Sequence, residues 1–175
     1  MGRMRQPSPA PSGVTAFSAW VFDTPDTAGR LLPAFEGSPH RPAVPVDDVA
    51  VVSWPADRLR PLAWHGCPVD DALVLAGAFW GMLFAEVFLL PLSCPPAGGP
   101  GPSDGQLAHL GLDAAVVRSL RDLIVADTSA VLVVHRANAA EIGAALPIRR
   151  DPSLTVLLTP EQVGRLRAGF ADDER

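Results

Sequence analysis

The sequence predicts an α+β sandwich of about four strands, with helices on one face and a single apolar helix inserted into it. Three observations point there. Short β-branched and aromatic segments alternate with helical ones, and capping residues separate them. The strands are apolar on both faces, so the sheet must be covered on both sides. One long apolar run, Ala72 to about Leu90, interrupts the alternation.

Ala16–Asp23 (AFSAWVFD) reads as the first strand. Thr24-Pro25 then offers a hydroxyl cap followed by Pro at the first helical position, which predicts a helix from Pro25 to about Phe35. Gly37 to Pro45 is a Pro-rich loop. Asp48–Trp54 is the second strand, and Leu59–Trp64 returns as a short third. Asp70 and Asp71 open the apolar helix, since carboxylates suit a helix N-terminus. Pro91 closes it, and Ser93 to Gly105 is a Pro- and Gly-rich loop. Asp113 caps a helix over Ala114–Val125, with Val116, Leu120, Leu123 and Ile124 on its apolar face. Thr128–Arg136 is a strand. Asn138 with Glu141 predicts a capping box for a short helix to Leu146. Ser153–Leu158 is the last strand, and Thr159-Pro160 caps a helix to about Phe170. Residues 14–170 thus form one α+β domain, with the insert at 70–92 and the Pro/Gly loop at 93–105. A flexible leader occupies 1–13 and a fraying tail 171–175. The leader has Arg3 and Arg5 but no apolar stretch after them, so it is not read as a signal peptide.

The faces of the strands carry more information. Trp20 and Phe22 share one face of the first strand, and Phe17, Ala19 and Val21 the other. Val131, Val133 and His135 likewise oppose Leu132 and Val134. The amphipathic helices are expected on one face. The second face needs the apolar helix, a second subunit, or both.

Composition excludes several functions. The net charge is −5, which argues against a nucleic-acid partner. All basic residues are Arg. Without Lys there is no Schiff-base chemistry and no Walker-type phosphate loop. Asn138 is the single Asn, so an N-glycosylated exterior is excluded. Cys67 and Cys94 make no disulfide framework and are expected as free thiols. No cofactor and no metal are expected: His65, Cys67, Asp70 and Asp71 fit no zinc spacing.

The run Ala19-Trp-Val-Phe-Asp-Thr24, then Ala50-Val-Val-Ser-Trp54, Gly77-Ala-Phe-Trp-Gly-Met-Leu-Phe84 with Pro91-Leu92, and Thr128-Ser-Ala130 resembles a family of small predicted bacterial membrane proteins of unknown function. The resemblance covers about 19–170. It implies a ferredoxin-like core with a Gly-rich helical hairpin inserted after the second strand, and it brings no catalytic residues. The chain departs from that pattern at Cys94-Pro-Pro-Ala-Gly-Gly-Pro-Gly-Pro102, which stands where the second hairpin arm belongs.

Ala72–Leu92 would make roughly 31 Å of helix, enough for a bilayer core. Glu86 lies inside it, and an intramembrane carboxylate costs several kcal/mol. A single crossing would also leave two strands on each side, and neither pair is stable alone. The helix is therefore expected to stay with its domain, buried in the fold or in an oligomer seam.

Glu86 is the sharpest candidate for chemistry, set among Phe79, Trp80, Met82, Phe84 and Phe88. The structural alternative is a Glu paired with Arg or on an exposed stripe. His65, in Trp64-His65-Gly66-Cys67, is the second candidate, against a plain polar loop leading to a helix cap. Gly101-Pro-Ser103-Asp-Gly105 formally matches a nucleophile elbow but lacks the strand before it and the helix after it. His135 reads as a satisfied core histidine.

The expectation drawn from this is a cytoplasmic homo-oligomer that encloses a hydrophobic small molecule. Trp20, Trp54, Trp64, Phe79, Trp80, Met82, Phe84 and Phe88 would line the site. If catalytic, it would be a cofactor-independent cyclase or isomerase for an apolar, polyketide-like substrate, with Glu86 and His65 assisting. Two alternatives stand beside it. One is a non-catalytic membrane-associated protein anchored by the apolar helix. The other is a structural oligomer.

Overall fold

The computed structural model describes residues 14–36, 46–65, 77–88, 106–136, 138–147 and 150–170. The expectations for the leader, the loops at 37–45 and 93–105, the Asp70–Asp71 cap, the Pro91 stop and the tail lie outside these residues.

The elements follow the sequence in order: β1 (Ala16–Phe22), α1 (Thr27–Glu36), β2 (Asp48–Trp54), β3 (Leu62–His65), α2 (Gly77–Phe88), α3 (Gln106–His109), α4 (Ala114–Leu123), β4 (Thr128–His135), α5 (Ala139–Ala145), β5 (Leu154–Leu157) and α6 (Pro160–Phe170). The strands form one sheet in the order β3-β2-β4-β1-β5, and every neighbouring pair is antiparallel. β4 lies between β1 and β2, and β1 lies between β4 and β5. The units β1-α1-β2 and β4-α5-β5 are therefore two interleaved split βαβ motifs, which is the ferredoxin-like arrangement. β3 adds an extra edge strand, and α2, α3 and α4 are inserted before β4.

Both faces are dry, as the strand pattern requires. Trp20, Phe22, Val49, Val51, Val131 and Val133 pack under α1 and α5, with Leu31, Phe35, Ile142 and Leu146 closing that layer. Phe17, Ala19, Val21, Ala50, Val52, Ala130, Leu132 and Val134 face the other way, against α2, α3, α4 and α6. Each large apolar side chain buried this way contributes roughly 1.5–3 kcal/mol. One expectation is corrected here: the amphipathic helices do not share a face. α4 and α6 join the apolar helix, because the insert alone is too narrow to cover the sheet.

The caps also differ in detail. α1 starts at Thr27, two residues later than Thr24-Pro25 suggested. The Ser129 hydroxyl on β4 accepts from the Ala28 N–H at 3.1 Å and donates to the Thr24 carbonyl at 2.6 Å. A neighbouring strand, not a local residue, holds that helix end. Asn138 does cap α5, accepting from the Ala140 N–H. The reciprocal capping box lies at α6: Gln162 accepts from the Thr159 N–H, and the Thr159 hydroxyl accepts from the Gln162 N–H. Asp113 caps α4 through Ala115 and Val116, and the helix buries Val117 and Leu120. α3 was not anticipated; its Leu107 is fully buried.

The C-terminal end of α2 is fixed from α4. Arg121 donates from Nε to the Val87 carbonyl at 2.9 Å and from Nη2 to the Glu86 carbonyl at 2.8 Å. Both carbonyls lie in the last described turn of α2. Arg121→Met keeps the aliphatic stem and removes both donors. It is expected to lower stability by about 1 kcal/mol, read as the shift of a urea unfolding midpoint.

Candidate functional site

The residues singled out for chemistry converge on α2, but as packing. Phe79 and Trp80 meet edge-to-face with centroids 5.0 Å apart. Trp80 stacks on Phe84 at 6.0 Å, and Phe84 on Phe88 at 6.1 Å. Phe88 ends the row against the edge of Trp54, at 5.8 Å and 89°. Phe17 of β1 touches Trp80 at 6.4 Å. Met82 is buried in the same cluster. Such offset and edge-on contacts are the favoured geometries of aromatic pairs. The row runs along one side of α2 and presses it onto the sheet.

Two of the eight aromatic and apolar candidates lie elsewhere. Trp20 is on the opposite face, with its ring centroid 6.5 Å from that of His135 and its indole N–H donating to the Arg150 carbonyl at 3.0 Å. Trp64 stands on the edge strand and is 47% exposed. Glu86 is half-buried on α2. The backbone of His65 stands opposite Ala50 in the ladder; its side chain, like Cys67, Asp70, Asp71 and Cys94, lies outside the described residues.

The sequence reading missed a polar lock under the aromatic row. Asp48 opens β2 and is fully buried. Its Oδ2 accepts from the Trp80 indole N–H at 3.0 Å, and its Oδ1 from the Val49 N–H at 2.8 Å. A buried carboxylate is costly unless hydrogen-bonded, and these bonds keep it in place. Strand alternation could have found it, since Asp48 shares parity with inward-facing Ala50 and Val52. Beside it, Asp47 pairs with Arg136 at 2.9 Å.

A second polar group lies beneath α1 and α5. The Ser18 hydroxyl is hydrogen-bonded to His135 Nε2 at 2.9 Å and to Thr155 Oγ1 at 3.0 Å. A serine beside an imidazole invites a nucleophilic reading. Ser18 is fully buried in the middle of β1 and His135 is 1% exposed, so no substrate reaches either. The trio acts as a cross-strand clasp. Among the described residues, no group of three or more His, Cys, Asp or Glu could hold a metal ion. An open depression of about 390 Å³ is lined by Ala140, Gly143, Ala144, Arg150 and Asp151, none of them a predicted site residue.

No curated protein and no solved structure matches the chain. A family model does, and it covers more than half of the sequence: it takes in the insert, β4, α5, β5 and α6, the second of the two interleaved units. Over residues 74–171 the match is to the protein of unknown function DUF1269, and the chain belongs to that family.

Proposed function

We propose that this chain is a non-catalytic structural domain that works by associating with itself. One observation carries the reading: Leu62 and Trp64, 36% and 47% exposed, share one face of β3 at the edge of a sheet whose two faces are otherwise covered. Leu59, in the turn before β3, is 97% exposed. An edge strand offers unpaired backbone N–H and C=O groups, and soluble monomers ordinarily protect such edges. Here the strand itself, Leu-Ala-Trp-His, carries no Arg, no carboxylate and no Pro.

The ligand-enclosing reading draws less support. The aromatic side chains it would use as walls fill the space beside α2 with one another. The membrane-anchored reading needs a spanning helix, and among the described residues no helix is long and apolar enough to cross a membrane.

Sedimentation velocity over micromolar to millimolar concentration tests the proposal. The protein is expected to show a concentration-dependent rise in mass. Leu62→Lys with Trp64→Glu is expected to abolish that rise and to leave the thermal midpoint within about 2 °C, because exposed substitutions cost little. A wild-type chain that stays monomeric throughout sinks the idea. Recovery only from membranes with detergent would favour the anchored reading instead.

A further inference from the structure

We draw no further inference here: the strongest candidate, the Ser18–His135–Thr155 side-chain cluster beneath α1 and α5, belongs to the cross-strand clasp already described, with Ser18 and His135 buried and no described residue opening either of them to a ligand.

Discussion

Trp80→Ala is expected to destabilise the protein by about 3–5 kcal/mol, the range for removing a large aromatic side chain from a core. The site meets the conditions for a large effect. Trp80 is 1% exposed and is flanked by Phe17, Phe79 and Phe84. Truncation leaves a void between α2 and the sheet and takes a donor away from the fully buried Asp48. A milder change narrows the comparison. Trp80→Phe keeps a ring in the stack but removes the N–H and part of the indole, so it is expected to cost about 1–3 kcal/mol, less than the full truncation. In a double-mutant cycle with Asp48→Ala, the losses should fall short of additive by about 1 kcal/mol or more. Urea unfolding followed by circular dichroism measures all four proteins. If Trp80→Ala cost less than 1 kcal/mol, α2 would not belong to the folded core, and the anchored reading would regain ground.

Gly143→Ala should be nearly as damaging, although it adds a single methyl group. A Cβ at this position would run into the Arg150 carbonyl oxygen, far inside van der Waals contact. That oxygen is the acceptor for the Trp20 indole, and Trp20 is completely buried. Neither neighbour can retreat cheaply: one is backbone, the other is wedged between sheet and α5. The segment at Arg150 must shift, and the indole N–H then loses its acceptor. Overpacking and an unmet donor together are expected to cost about 2–4 kcal/mol, or about 4–16 °C in Tm for a chain of this size. Gly164→Ala in α6 is the matched control. Nothing lies within 4 Å of its added methyl, so the usual helix preference for Ala should raise stability by up to about 1 kcal/mol. The opposite signs of the two substitutions are the test; a loss of similar size at both would mean that glycine is needed for some reason other than space.

The strands were legible because they are short apolar runs bounded by turn residues. β2 reads correctly to the residue, Asp48–Trp54, and β1 and β4 each end one residue sooner than expected. The dryness of both faces was legible too, from strands with no polar side. Which helix covers which face was not. An amphipathic helix shows the same pattern on either face, so α4 and α6 could not be told from α1 and α5. α2 is apolar nearly all round, which hides the side that meets the sheet. The Asp48–Trp80 bond joins residues 32 positions apart and the Ser129 cap reaches across 101; local pattern carries no sign of either. Of the candidate site, the cluster around α2 was legible as a collection of aromatic residues. Its role was not, because a pocket wall and a packed core use the same residue types.

The central position of β4 sets a timetable for synthesis. β1 and β2 are not hydrogen-bonded to each other; each waits for β4, which is made more than seventy residues after β2 ends. At typical elongation rates that interval is on the order of several seconds. During it the nascent chain holds two of its most apolar strands without their main partner, and α1 lacks the serine that caps it. Only the β2–β3 hairpin can form early. This places the greatest risk of misassembly before the ribosome reaches Thr128 and makes the second half of the chain the template on which the first half folds.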